Sequence, residues 1–109
     1  MYISKLDTLL LENIRKLLRR GANRNVRNIL QRMHAADIAY LFRYLNEVEQ
    51  LKIFRLLENS DMAPEIISHV DTPTGARIIT QLDRKKAAEI LQEMDPDDEV
   101  NLCLLYTSD

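Results

Sequence analysis

The chain reads as an all-α protein: a right- or left-turning superhelix of short stacked helices, each about ten residues long, with a two-helix cap at its N-terminal end. Three observations predict it. Only two glycines and three prolines interrupt 109 residues, and aromatics are few, with four Tyr, two Phe and no Trp, so helix formers dominate. Second, Met33, Leu45, Leu57, Val70, Leu82 and Met94 recur at spacings of 12, 12, 13, 12 and 12, and a polar residue follows each: His34, Asn46, Glu58, Asp71, Asp83, Asp95. Third, an apolar pair sits within each unit at Leu41/Phe42, Ile53/Phe54, Ile66/Ile67, Ile78/Ile79 and Ile90/Leu91. Pair and unit closer together make an i, i+3/i+4 stripe, the mark of an amphipathic helix. Helices this short are unstable alone and persist by stacking on neighbours.

Taken in order, the first helix shows Leu6, Leu10, Ile14, Leu17 and Leu18 on one face, with Gly21 as its C-terminal stop. A second, over about Arg24–Met33, offers Val26, Ile29 and Leu30. These two occupy residues 1–33 and are expected to cover the open end of the repeats, which run over 34–102. In the third repeat, "ENSDMAPEIISHV", one extra residue is present, and Pro64 falls in the first turn after Ser60 or Asp61. Asp71 or Thr72 with Pro73, and Asp95 with Pro96, read as N-cap plus proline at the first helical position; Asp83 caps "RKKAAEILQEM". After Leu102 the run "CLLYTSD" breaks the period, so residues 103–109 are expected to be a truncated or non-native tail and carry no functional weight.

Composition narrows the function classes. Cys103 stands alone, so no internal disulfide forms. No apolar run approaches the ~18 residues of a membrane span, and "MYISKLDTLLLEN" lacks a signal-peptide pattern. There is no Gly-rich phosphate loop, no nucleophile in a catalytic setting and no His/Cys metal motif, so the chain is read as no enzyme. His34 and His69 stand apart, each near a unit boundary, with structural or surface roles expected. The net charge of −2 hides a division. Residues 1–45 carry nine Lys/Arg against three Asp/Glu, a balance of +6, whereas residues 46–109 carry six against fourteen, a balance of −8. The basic stretch "RKLLRRGANRNVRNILQR" lacks interleaved aromatics, which speaks for a solvated face, or one docked on an acidic neighbour, over nucleic-acid binding.

The acids Glu93, Asp95, Asp97, Asp98 and Glu99 admit two readings. In the first, Asp95 caps a helix, Pro96 opens it, and Asp97 to Glu99 complement the dipole of its first turn, with Asp98 placed for a capping-box-like pair with Asp95. In the second they await a cation. Carboxylates without His or Cys suit Mg²⁺ or Ca²⁺ and exclude a typical zinc site; no EF-hand loop is present. Since Mg²⁺ keeps several waters and needs only one or two carboxylates, a few acids on a convex surface bind it weakly until a second surface completes the site.

"MHAADIAYLFRYL" resembles the "HPADIADLL" signature of the cytosolic N domain of MgtE-type magnesium transporters, and "DRKKAAEILQEMDPDDEVNL" is similar to that domain's closing repeats. The likeness covers roughly Glu12 to Leu102. It implies an all-helical superhelix that precedes a pair of CBS modules, a connecting helix and a membrane channel, in a homodimer. The domain would lie on the cytosolic face of the cell membrane, reach the membrane only through the transmembrane part of the same polypeptide, and bind no nucleic acid. In that family intracellular Mg²⁺ between the N and CBS domains shuts the pore. The resemblance places the interdomain carboxylates on Glu65, in "APEII", and Asp97, in "DPDD"; Asp98 is a further candidate ligand. A third family acid falls on Asn101, where the charge is missing, and His34-Ala35 replaces the usual His-Pro. The alternative is a stand-alone interaction module or scaffold like the FliG-type flagellar motor-switch proteins, whose middle domain carries Glu-His-Pro-Gln where this chain has Met33-His34-Ala35-Ala36.

Overall fold

The computed structural model describes residues 5–98 of the chain, all of them helix or short joint. The predicted roles of Leu6, Glu99, Asn101 and the tail 103–109 lie outside what it describes. Seven helices follow one another: α1 (Lys5–Arg19), α2 (Asn23–Gln31), α3 (Ala35–Phe42), α4 (Glu47–Leu57), α5 (Met62–His69), α6 (Thr72–Thr80) and α7 (Arg84–Gln92). A further helical turn opens at residue 96.

In α1 the buried seam is Leu11, Ile14 and Leu18, with Leu10 and Leu17 packed beside it. The expected stripe missed Leu11: the residues sit 100° apart, and 11, 14 and 18 are the positions that turn together toward the neighbouring helices. The predicted stop at Gly21 is present. Its φ of +72° is a left-handed conformation that a Cβ would strain. That geometry lets Ala22 N–H reach the Leu17 carbonyl (3.0 Å) and Gly21 N–H reach that of Leu18 (3.1 Å), a Schellman closure that reverses the chain into α2. Val26 and Leu30 then bury against the rest, with Ile29 half-covered.

The repeats bury four of the five predicted apolar pairs whole, and in the fifth Ile90 is buried while Leu91 is half-buried. Leu41/Phe42, Ile53/Phe54, Ile66/Ile67 and Ile78/Ile79 are all buried, as are the closers Leu45, Leu57, Leu82 and Met94. Stacking follows an alternate rule: α2 lies on α4, α3 packs closely on α5, and α5 touches α7 as well as its sequence neighbours α4 and α6. α5 is the hub. The tight α3–α5 pair carries small buried residues, Ala35 and Ala39 on one helix and Ala63 on the other, which let helix axes approach.

The joints show which side chains do the capping. Asp83 accepts from Lys86 N–H at 2.9 Å, as expected. Asp83→Ala should lower stability by about 1 kcal/mol, read as a shift in urea midpoint at unchanged slope. Asp71 holds the N-cap position with extended backbone (φ −64°, ψ 151°), but its side chain makes no cap bond, and Pro73 is the second helical residue, not the first. Of Ser60 and Asp61, Ser60 does the work: its hydroxyl donates to the Leu57 carbonyl (2.8 Å) and accepts from Met62 N–H (3.2 Å). Asp61 is already helical in backbone and caps nothing. The most complete cap was not foreseen: Asn46 and Glu49 close a reciprocal capping box (2.8 and 2.9 Å) at the start of α4. Glu49 also binds Arg15 at 3.1 Å, and Arg15 donates to the Tyr44 carbonyl, tying α1 to the α3–α4 joint.

Candidate metal centre

Glu65 lies in the first turn of α5, whose inward face is Ala63, Pro64, Ile66 and Ile67. That stripe leaves Glu65 exposed. Asp97 and Asp98 lie in the turn that opens at residue 96; buried Met94 anchors the joint before it, and Asp97 is exposed while Asp98 is half-buried. Each carboxylate therefore sits near a helix N-terminus, where the dipole favours negative charge, and two of the three face solvent. Oxygen donors only, accessible to water, fit a hydrated Mg²⁺. Among the described residues no three Asp, Glu, His or Cys side chains gather closely enough to hold a metal ion, so Glu65, Asp97 and Asp98 do not form one cage on this chain.

The fold builds an acidic surface that spacing alone does not reveal. A small groove of about 120 Å³ runs between the α4–α5 joint and α7, lined by Glu58, Asp61 and Pro64 on one side and Lys86, Glu89 and Glu93 on the other. Only Lys86 offsets this charge, through its ion pair with Glu89 at 3.2 Å. Glu93 was among the acids singled out from sequence. Glu58, Asp61 and Glu89 were not, because the pairing of the α4–α5 joint with α7 is tertiary.

Neither histidine lines that groove, although His69 lies one helical turn beyond Glu65 on α5. His34 occupies the N-cap of α3 without a side-chain cap bond, and exposed His69 lines a cleft of about 680 Å³ with Arg43, Gln50, Asp71 and Thr74. Beside that cleft the Tyr40 and Tyr44 hydroxyls lie 3.4 Å apart. This hydrogen bond, then partial burial, holds the Tyr40 phenol above its ordinary value.

The described residues form an all-helical domain of stacked short helices with exposed carboxylates at several helix starts. The family model described as the MgtE intracellular N domain matches residues 33–104, about two thirds of the chain. The chain belongs to that family, a family of transporter regulatory domains and not of enzymes. The match covers all of the repeats and decides the family against the flagellar motor-switch alternative. Comparison with curated proteins and with solved structures gives no match. No described helix is long and apolar enough to cross a membrane.

Proposed function

We propose that the domain senses intracellular Mg²⁺ for a magnesium channel, its acidic face sharing the ion with an acidic surface of CBS domains in the same polypeptide so that the pore closes. Family membership carries this reading, and the exposure of Glu65 and Asp97 supports it. A single carboxylate from each helix binds Mg²⁺ weakly, so the ion needs ligands from a second surface, which makes binding conditional on docking. Electrostatics then supply the switch. Two carboxylates ~4 Å apart repel by only ~1 kcal/mol in water but by ~4 kcal/mol at an effective dielectric near 20, so docking two acidic faces is unfavourable without a divalent ion between them. Mg²⁺ favours the docked state by its differential affinity for that state. Asp98 is a supporting ligand, and Asn101 leaves this site one charge short of the family pattern.

In the full-length protein, Glu65→Ala with Asp97→Ala should raise the Mg²⁺ concentration needed for closure at least ~tenfold, read as Mg²⁺-dependent protection from protease and as ion flux. Unchanged closure in that double variant would sink the reading.

A further inference from the structure

We propose that the outward face of α1 and α2 docks on the anionic headgroups of a phospholipid bilayer and holds this domain against the membrane surface. From Arg15 to Ala36 the sequence holds seven Lys/Arg and no Asp or Glu. Two of the seven face other acids: Arg15 pairs with Glu49, and exposed Arg32 lines a cleft that Asp7 and Asp37 also line. The other five, Lys16, Arg19, Arg20, Arg24 and Arg27, are exposed, and none forms an ion pair among the described residues. Helical spacing sets Lys16 and Arg20 opposite the Leu11–Ile14–Leu18 seam of α1 with Arg19 on its flank, and Arg24 opposite Val26 and Leu30 of α2 with Arg27 on the flank. The tight turn at Gly21 joins the two groups.

Folding explains only part of this charge. Lys16 and Arg19 complement the C-terminal end of the α1 dipole. Arg24 does the opposite. It stands in the first turn of α2, at the positive end, in a turn that has no acid and no side-chain cap. A cation there gains nothing from the helix dipole, so folding does not account for its charge.

The chemistry of the face selects the partner. Protein interfaces are built around buried apolar or aromatic anchors, and single-stranded nucleic acid is held by stacking on aromatics. Among the described residues the exposed large hydrophobics are Leu9 and Val48, and neither lies between these cations. A bilayer surface asks only for positive charge density, which this face has. Leu9, two turns before Lys16 on the same outer side of α1, adds a shallow apolar contact at its edge. The family is one of intracellular domains of a membrane transporter, so a bilayer is within reach. Residues 1–45 carry +6 and residues 46–109 carry −8, so the positive charge is concentrated in the part of the sequence that forms this face.

The test is co-sedimentation of the 109-residue chain with phosphatidylcholine vesicles, with and without phosphatidylglycerol, at low and high salt. Binding is expected only with phosphatidylglycerol, and salt should release it. Arg24→Glu with Arg27→Glu should lower the bound fraction roughly tenfold or more, whereas Arg84→Glu with Lys85→Glu, the same charge change on α7, should leave it within about twofold. All four positions are exposed, and circular dichroism verifies that both variants stay helical. Failure to sediment with anionic vesicles, equal loss in the two variants, or binding to neutral vesicles overturns the proposal. So does retention by duplex DNA without vesicle binding.

Discussion

Phe54→Ala is expected to leave the domain barely folded. Phe54 is fully buried in α4, between Ile53 and Leu57, which are buried as well. Removing its ring forfeits the transfer free energy of the side chain and leaves a cavity that the surrounding helices fill only in part, a loss of about 3–5 kcal/mol. Domains of this size have about 5–15 kcal/mol in total. At about 4 °C per kcal/mol the melting temperature should fall by roughly 12–20 °C. Short helices make the effect global, since none persists without its neighbours and a hole in α4 weakens what α2 and α5 rest on. Urea unfolding followed by circular dichroism measures it, with Val48→Ala, on the exposed side of the same helix, as the control expected within about 0.5 kcal/mol of the parent. Equal midpoints for the two variants would mean that α4 does not turn Phe54 inward.

The order in which features became legible follows the range of the interactions behind them. The twelve-residue period was readable because a helix places i, i+3 and i+4 on one side whatever it packs against, and every predicted pair from Leu41/Phe42 to Ile78/Ile79 is buried. Capping was half-readable. Asp83 and Gly21 act through bonds within a few residues, yet Asp71 has the right residue type and position without the bond, and Asn46 makes the fullest cap at a joint where no proline drew attention. Leu11 was missed for a different reason. With six leucines among the first eighteen residues, the direction of the seam is set by where α2 lies, not by α1 alone.

The same divide runs through the candidate site. That Glu65 would be exposed follows from its place beside the inward-facing pair Ile66/Ile67, and it is; Asp97, in the turn after buried Met94, is exposed as well. The groove joining Glu58 and Asp61 to Glu89 and Glu93 brings together carboxylates some thirty positions apart, and nothing local in either segment announces the other. Asp97 also shows why acids at helix starts are ambiguous in sequence. The dipole stabilises them there with or without a ligand, so residue type and position fit both a structural and an ion-binding role, and only the surface docked against them distinguishes the two.

Gln50→Leu is expected to destabilise the domain by about 2–4 kcal/mol although leucine is the more apolar residue and similar in size. Gln50 is the one buried polar side chain among the described residues. Its amide nitrogen donates to the Phe42 (2.8 Å) and Leu45 (3.3 Å) carbonyls just past the end of α3, where the Phe42 carbonyl also accepts from Leu45 N–H (3.2 Å). Its oxygen accepts from Arg77 of α6 at 2.9 Å, and Arg77 in turn approaches Glu47 of α4 at 3.5 Å. One side chain thus satisfies the α3 terminus and ties it to α4 and α6, across 27 positions of sequence. Leucine would take the side-chain donor from the Leu45 carbonyl and one of two acceptors from the half-buried Arg77 guanidinium, which keeps Glu47, each a desolvation cost of about 1–3 kcal/mol, and added apolar area offsets only part of it. A double-mutant cycle with Arg77→Met separates this from simple mispacking. If the network is the cause, the double variant loses less than the two singles together, with a coupling of about 0.5–3 kcal/mol in urea denaturation, because once one partner is gone the other has less to lose. Strict additivity would mean that Gln50 acts only through its two carbonyls and that α6 is held by its apolar pair, Ile78/Ile79, alone.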